Sequence, residues 1–268
     1  MERNIVIKSI VDDSYTYFRS FALASNIQHR TGKVEWIHPV PGTQGPSIVF
    51  KVSMDASAQR EIDGLIGGLR EGSVPSLWVI NPLSNPDNIV QILASKGFEN
   101  RTDEAKPEFG MALELTRLPA NDSGNESIKV KRVLEVNDYK TWIDIVNCAL
   151  HGWDMLTYDN YATWLKCESI AFYLAFWEGI PVCTVATIRN GHRASIEFVS
   201  TLEEYRHKGI AYAACLQVLS ELKTSGVKLA TLRSNFEAHT LYLRLGFLPY
   251  YTQQLLCFPK YLRDERNT

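Results

Sequence analysis

The sequence Arg206-His207-Lys208-Gly209-Ile210-Ala211 lies between an apolar stretch that ends at Thr201 and a helix-like stretch that ends at Thr224. The first turn of a helix leaves backbone N–H groups unpaired and carries a partial positive charge. Because Gly209 and Ala211 have minimal side chains, a pyrophosphate could approach this backbone closely. The pattern predicts an anion site at the helix start. The same six residues also fit a charged loop that ends in glycine, so the neighbouring segments must decide.

Those neighbouring segments predict a mixed sheet. Three apolar stretches upstream predict antiparallel strands, at 170–177, 180–188 and 194–201. Turns are expected at Glu178-Gly179 and at Asn190-Gly191, since Asn-Gly between apolar stretches is a strong hairpin signal. The helix predicted at 209–224 has one apolar stripe, and the segments after it predict a strand at 227–233, a helix at 236–245 and strand material at 248–258. A crossover through the helix would make strands 194–201 and 227–233 parallel.

A polar segment divides the chain. Residues 119–127 read Pro-Ala-Asn-Asp-Ser-Gly-Asn-Glu-Ser, which is linker composition. A strand pattern at 128–136 and a helix pattern at 139–150 follow it. The sequence therefore predicts an N-terminal domain at 1–119, a linker at 120–127 and a second domain at 128–268.

The motif and its surroundings resemble a known family. Arg206-x-x-Gly209-x-Ala211 is similar to the Arg/Gln-x-x-Gly-x-Gly/Ala signature of the GNAT superfamily of acyl-CoA-dependent N-acyltransferases, with alanine where a second glycine is more frequent. Leu241-Tyr242-Leu243-Arg244-Leu245-Gly246-Phe247 resembles the family's Leu-Tyr-x-x-x-Gly-Phe segment. The resemblance covers about residues 128–258. It implies an α+β fold with a mixed, mostly antiparallel sheet flanked by helices.

The resemblance also implies acetyl-CoA as co-substrate. Its pyrophosphate would be held by the turn residues Arg206, His207, Lys208, Gly209, Ile210 and Ala211. Its pantetheine arm would run along the strand residues Phe198, Val199, Ser200 and Thr201. Asn235 matches a position that often touches the cofactor in the family, but it equally fits an N-cap that bonds the first turn of the next helix.

Two residues are candidates for proton transfer. Tyr242 is at the family's usual general-acid position, where a phenol could protonate the departing thiolate; packing of its ring is the alternative. Glu197 lies on the strand beside the thioester path and resembles the family's strand glutamate, which could take a proton from the amine. Alternation places Glu197 on the same side as Val199 and Thr201, so a solvated or structural carboxylate is the other interpretation.

The segment after the first helix of the second domain contains Trp153, Asp154 and Tyr158. In the resembling family this region shapes the acceptor pocket. The two rings could face a cationic group and Asp154 could pair with it. Aromatic residues of a surface loop that pack on the helices are the alternative.

The first half repeats the order of elements in the second. A strand pattern at 47–53, a helix pattern at 56–70 and a strand pattern at 76–80 lead to Gly97-Phe98, which looks like Gly246-Phe247. We interpret this half as a smaller, degenerate GNAT-like α/β domain, with an unrelated α+β domain as the alternative. Met54-Asp55-Ala56-Ser57 lacks the glycines and the arginine, so no second anion site is expected.

Composition limits the function. The chain has 268 residues, 28 Lys and Arg, 30 Asp and Glu and a formal net charge of −2, so no nucleic-acid or membrane partner is expected. The apolar stretch 170–177 is far shorter than the ~20 residues of a membrane span, which predicts a cytoplasmic protein. The five cysteines have no Cys-x-x-Cys pair, so we expect reduced thiols and no metal site.

Three functions remain to be weighed. The leading hypothesis is an N-acetyltransferase that moves an acetyl group from acetyl-CoA to a primary amine of a small molecule or peptide by direct attack in a ternary complex. The alternative is a non-catalytic sensor or scaffold that binds acyl-CoA with the same fold. A nucleotide-binding module ranks last, because the turn lacks the Gly-Lys-Ser/Thr that magnesium-nucleotide sites require. The sequence predicts neither the acceptor's identity nor the oligomeric state.

Overall fold

The computed structural model describes residues 1–55, 57–119 and 127–259, which form two mixed sheets with helices packed on them. The α-helices are α1 Arg3–Ser20, α2 Ala58–Glu71, α3 Ile89–Ser95, α4 Val136–Val146, α5 Tyr158–Leu165, α6 Ile210–Thr224 and α7 His239–Arg244. The first strands are β1 Ile27–Arg30, β2 Val34–Pro39, β3 Ile48–Val52, β4 Leu77–Ile80, β5 Glu99–Asn100 and β6 Phe109–Glu114. The later strands are β7 Ile128–Arg132, β8 Ile170–Trp177, β9 Ile180–Asn190, β10 Arg193–Thr201, β11 Leu229–Ser234, β12 Leu248–Thr252 and β13 Gln254–Cys257.

The larger sheet has seven strands in the order β12-β6-β11-β10-β9-β8-β7. Strands β7 to β10 are consecutive antiparallel neighbours, as the meander pattern predicts. Helix α6 connects β10 to β11, and these two strands are parallel, which confirms the predicted crossover. The apolar stripe of α6 packs on the sheet through residues such as Ala214, Val218 and Leu222, all of which are buried.

The two hairpins of this sheet differ in their turns. Glu178 and Gly179 form the first, with φ of 50° and 87°, as both central positions of a type I′ turn require. The second turn lies one residue later than predicted. Asn190 pairs with Arg193 and ends β9, so the two loop residues are Gly191 and His192. Gly191 has φ of 61° and takes the first loop position, where a left-handed conformation favours glycine.

The smaller sheet has the order β1-β2-β3-β4-β13-β5, and the two sheets exchange strands. Strand β6 precedes the predicted linker yet lies between β12 and β11 of the larger sheet. Strand β13 comes from the C-terminal part and pairs with β4 and β5 of the smaller sheet. Each sheet thus contains one strand from beyond the predicted boundary. The boundary itself stays a prediction, because residues 120–126 and 260–268 lie outside the described residues.

Helix α1 lies between the two sheets and is bonded to both. The buried Asp13 carboxylate accepts hydrogen bonds from Arg193 Nε, Asn190 Nδ2 and Thr231 Oγ1 at 3.0–3.2 Å, all three on the larger sheet. Six residues later, Arg19 donates two hydrogen bonds, of 2.7 and 2.8 Å, to the buried Glu35 of β2. Between these anchors, the Tyr17 ring contacts Phe198 of the larger sheet at 5.6 Å and the Phe18 ring stacks on Phe50 of the smaller sheet at 5.1 Å.

All five cysteines are free thiols. Cys183 and Cys215 are buried in the core of the larger sheet, whereas Cys148 is exposed. Across the described ranges, no helix combines the length and the apolar character that crossing a membrane would require.

Candidate active site

Strands β10 and β11 separate from each other part of the way along the sheet. Their parallel pairing runs from Arg193 and Leu229 to Ser195 and Thr231 and then stops, although the strands continue to Thr201 and Ser234. Beyond this point β10 stays with β9, while β11 stays paired with β6. A gap therefore opens between two neighbouring strands, where backbone and side chains can face a ligand.

A bulge in β10 shapes one wall of the gap. The register of β10 against β9 shifts between Glu197 and Ser200, and Phe198 between them has φ of 50°. This left-handed conformation is rare for a bulky residue and must be held by its surroundings. The buried Thr184 Oγ1 donates a hydrogen bond of 2.8 Å to the Phe198 carbonyl, and the Phe198 ring packs against Trp142 at 5.4 Å. The bulge interrupts the strict alternation that the sequence predicts for Glu197, Val199 and Thr201.

A cavity of about 230 Å³ lies in the gap. Five predicted site residues line it: Glu197, Phe198, Val199, Asn235 and Tyr242. These residues come from β10, from the position directly after β11 and from α7. The fold therefore brings both candidates for proton transfer to one cavity.

Glu197 is buried, with 8% of its surface exposed, which excludes the solvated carboxylate among the predicted alternatives. Burial raises the pKa of Glu197 to about 7, and the Arg233 charge opposes this rise. The two residues form an ion pair, with Arg233 Nη2 3.6 Å from Glu197 Oε2. A carboxyl group with a pKa near neutrality can accept and release a proton at physiological pH.

Tyr242 lies on the short helix α7 and is buried, with its ring edge-to-face against Phe247 at 5.9 Å between centroids. Burial raises the pKa of the Tyr242 phenol well above its usual value, so the hydroxyl carries its proton at neutral pH. Tyr242 is one of the residues that line the cavity. Both a proton donor and a packed ring are compatible with this position.

The predicted anion turn leads into α6 in the expected way. His207 and Gly209 have φ of 63° and 78°, and Gly209 is the N-cap of the helix. A Cβ added at Gly209 would have no heavy atom within 4 Å among the described residues, so the space beside this backbone is open. No side chain in the described ranges caps the first turn of α6. Its N–H groups are thus available to an anion.

The basic side chains of this turn have partners of their own. Arg206 donates hydrogen bonds to the carbonyls of Thr201 and Ala149, at 3.1 and 3.3 Å, and so ties the turn to the end of β10. The ammonium group of Lys208 lies 4.9 Å from the centre of the Tyr205 ring. Ile210 is buried and Ala211 packs on the same core. The backbone of the turn is therefore better placed for an anion than the Arg206 side chain, which is already bonded.

Three other predicted cofactor residues have structural contacts. Ser200 is buried and its Oγ lies 2.6 Å from Thr184 Oγ1. Thr201 accepts the hydrogen bond from Arg206 described above. Asn235 Oδ1 accepts a hydrogen bond of 2.9 Å from the Ala238 amide, which is the capping role that the sequence offered as one alternative. Asn235 also lines the cavity, so its capping role and a contact with the cofactor are compatible.

The predicted acceptor residues lie elsewhere. Trp153 and Asp154 are exposed on the loop after a π-helical turn, Asn147–His151. Tyr158 is half-buried at the start of α5, where its ring contacts Tyr139. None of the three lines the cavity that the described residues form. Their role in binding the acceptor stays a prediction.

Seven cavity residues were not predicted as site residues from the sequence: Tyr17, Glu108, Leu150, Ile196, Arg233, Ser234 and Ala238. Two of them come from the first half, Tyr17 from α1 and Glu108 from the residue before β6. Arg233 offered the one available signal, a charge near the end of an apolar strand pattern. Tyr17 and Glu108 offered none, because only the packing of α1 and the strand exchange bring them to the site.

The comparisons with known proteins agree with this geometry. The model of the Acetyltransferase (GNAT) family matches residues 139–247. These residues form a GNAT acetyltransferase domain. The matched segment includes Glu197, the turn from Arg206 to Ala211, and Tyr242, so the predicted family resemblance is confirmed.

Solved structures extend the likeness to nearly the whole chain. A GCN5-related N-acetyltransferase from Kribbella flavida is similar with a TM-score of 0.70 and 16% identity, over 94% of this chain and 95% of that one. A GCN5-related N-acetyltransferase from Sphaerobacter thermophilus has a TM-score of 0.58 and 19% identity, over 74% of this chain and 64% of that one. A tandem GNAT protein from the clavulanic acid biosynthesis pathway has a TM-score of 0.56 and 11% identity, over 94% and 96%. No curated protein matches the sequence.

The predicted fold class is therefore confirmed. The mixed, mostly antiparallel sheets flanked by helices have GNAT-fold neighbours that span both halves, consistent with two GNAT-like domains. At these identities the likeness shows the fold and leaves the substrate to the chemistry of the site.

Proposed function

We propose that this protein is an N-acetyltransferase that transfers the acetyl group of acetyl-CoA to a primary amine. The observation that carries the proposal is the meeting of Glu197 and Tyr242 in one cavity at the separation of β10 and β11. One group has a pKa near 7 and the other keeps its proton at neutral pH. The pair thus matches the two proton transfers that aminolysis of a thioester needs.

The residues of the α6 turn fit CoA. The open space beside Gly209 and the uncapped first turn of α6 suit the pyrophosphate, whose negative charge the helix start would stabilise. The bulge at Phe198 leaves Phe198 and Val199 without register partners on β9, so their backbone can face the pantetheine arm. Acetyl-CoA supplies the acetyl group as a thioester, which an uncharged amine can attack.

The chain's own residues would then move two protons. Glu197 takes a proton from the amine nitrogen, directly or through water, as the new C–N bond forms. Tyr242 donates its hydroxyl proton to the sulfur as the C–S bond breaks, so that CoA leaves as a thiol. Glu197 then releases the amine proton to solvent, and the phenol regains a proton from solvent. Acceptor and acetyl-CoA must be bound together, because this chemistry uses no covalent intermediate on the protein.

A thiol-release assay with a panel of amines tests the proposal. The panel contains alkyl amines, diamines, amino sugars, amino acids and peptides with free N-termini, each with acetyl-CoA and the purified protein. A cavity of about 230 Å³ favours a small amine or an unhindered amino group of a larger one. Release with at least one amine, lost in a Glu197→Gln, Tyr242→Phe double variant, is the expected result.

The alternative function gives the opposite result in the same experiment. A protein that binds acyl-CoA as a sensor or scaffold would bind acetyl-CoA in a calorimetric titration but release no thiol with any amine. That outcome would overturn the proposed activity and leave the CoA site intact.

A further inference from the structure

Arg233 lines the cavity, and its guanidinium packs against two aromatic rings. Its side chain is 18% exposed, and its guanidinium carbon lies 4.6 Å from the centre of the Tyr17 ring and 4.5 Å from that of Phe18. Its buried Nε has no hydrogen-bond acceptor among the described residues. Two aromatic rings of α1 therefore pack on the guanidinium and help to hold it where it is.

From this position Arg233 faces Glu197. The 3.6 Å between Nη2 and Oε2 makes an ion pair that is longer than a hydrogen bond. Arg233 lies on β11 and Glu197 on β10, beyond the point where the backbones stop pairing, so no backbone bond sets the distance between them. At this position the rings of Tyr17 and Phe18 on α1 contact the guanidinium.

Several other groups face Glu197. The neighbouring elements contribute Asp13 and Tyr17 from α1, Tyr242 from α7, Glu108 before β6 and Ser195 from β10 itself. Arg193 is a cation on β10, but it is paired with Asp13. Within this described set, Arg233 is thus the cation left to oppose the effect of burial on Glu197.

We propose that Arg233 is the positioning residue for Glu197 and that helix α1 holds it there through Tyr17 and Phe18. The inference rests on the proposed function, in which Glu197 takes the amine proton. It gives the first half a role in proton transfer that is distinct from binding CoA. Arg233 keeps its charge at all working pH values, so it favours the carboxylate form of Glu197 without itself exchanging a proton.

The test is the pH dependence of kcat/KM for an amine that the panel identifies. Arg233→Met should raise the midpoint of the acid limb by about one pH unit or more, since an opposite charge within a few ångströms lowers a carboxyl pKa. A midpoint that moves from about 7 to about 8 lowers the rate about five-fold at pH 7 and little at pH 9. Arg233→Lys keeps a positive charge at this position, so the midpoint of its acid limb should lie close to the wild-type value.

The contribution of α1 has its own variant. Phe18 is buried and does not line the cavity, so Phe18→Leu removes a ring face from Arg233 without altering the cavity wall. The midpoint of the acid limb in Phe18→Leu should move in the same direction as in Arg233→Met, but by a smaller amount. Arg30→Met is the matched control, because Arg30 lies over Trp36 at 5.0 Å in the smaller sheet, away from the cavity.

The outcomes separate this inference from the proposed function. A rate that falls equally at all pH values in Arg233→Met and Phe18→Leu, with the midpoint unmoved, would overturn it. If no amine is turned over, the proposed activity fails, and the carboxyl titration of ¹³C-labelled Glu197 in the resting protein decides the inference instead. An upward shift of that titration in Phe18→Leu supports the coupling, and an unchanged titration overturns it, even if Arg233→Met does not fold.

Discussion

Asp13 and Arg193 are 180 positions apart and form an ion pair of 3.1 Å that joins α1 to the larger sheet. The Asp13 side chain is buried and also accepts hydrogen bonds from Asn190 and Thr231. Burial raises the pKa of Asp13, and the charge of Arg193 opposes that effect. This carboxylate therefore ties the helix that carries Tyr17 to the cavity to the larger sheet.

Asp13→Asn should destabilise the protein. The amide keeps the size of the side chain but leaves Arg193 without its partner and places a donor among donors, which should cost about 2 to 3 kcal/mol. Chemical denaturation measures the change in the free energy of unfolding. Asp12→Asn is the matched control, because the Asp12 carboxylate pairs with the exposed Lys8 one turn away, and its loss should change stability by less than ~0.5 kcal/mol. Equal effects of the two changes would contradict the anchoring role.

Gly209→Val should weaken CoA binding about ten-fold or more, because a β-branched side chain enters the space beside the turn and φ of 78° strains it. Calorimetric titration of CoA measures the change. Gly72→Val is the control, since Gly72 ends α2 with φ of 79° and the same open space, far from the turn. Unchanged affinity in a folded Gly209→Val variant would refute the assignment of the anion site.

The protein should bind one CoA per chain. The start of α2, which corresponds in order to the start of α6, holds two carboxylates: Asp55 bonds the Ser57 amide at 2.8 Å and shares Lys33 with Glu61. These negative charges occupy the place that a phosphate would need. A titration that shows two equivalent sites would contradict this expectation. Loss of all binding in Gly209→Val would support it.

Tyr242→Phe should lower kcat about 100-fold or more while the affinity for acetyl-CoA changes little, because the ring stays packed on Phe247 and only the proton donor is lost. Steady-state kinetics under conditions where chemistry limits the rate make the comparison. Tyr250→Phe, on β12 with Arg3 over its ring, controls for the loss of a phenol elsewhere. Wild-type turnover in Tyr242→Phe would leave Tyr242 with a packing role alone.

Glu197→Gln should remove the acid limb of the pH profile. In the wild type, kcat/KM should rise with pH through about 7, because the carboxyl group must lose its proton before it can accept one from the amine. The glutamine cannot do so at any pH, so the difference from wild type should be largest above pH 7, about 100-fold or more. Glu204→Gln changes an exposed carboxylate next to the turn and should leave the acid limb of the pH profile in place. A limb that persists in Glu197→Gln would show that another group titrates.

Sequence by itself determined most of the larger sheet. Alternation, the Glu178-Gly179 turn and the apolar stripe of α6 act over a few residues, so the antiparallel order from β7 to β10 and the parallel pair of β10 and β11 follow from short patterns, whereas the insertion of β6 does not. The turn from Arg206 to Ala211 could also be predicted from the sequence, because Gly209 and the start of α6 lie next to each other in one short segment.

Only the tertiary structure decided the surroundings of Glu197. The left-handed Phe198 depends on Thr184 and on the packing of its ring, and nothing in the alternating pattern of β10 indicates it. Tyr17 and Arg233 are more than 200 positions apart and meet only because α1 is anchored to both sheets. The pKa of Glu197 depends on tertiary packing, because burial raises it and the charge of Arg233 on the neighbouring strand opposes that rise.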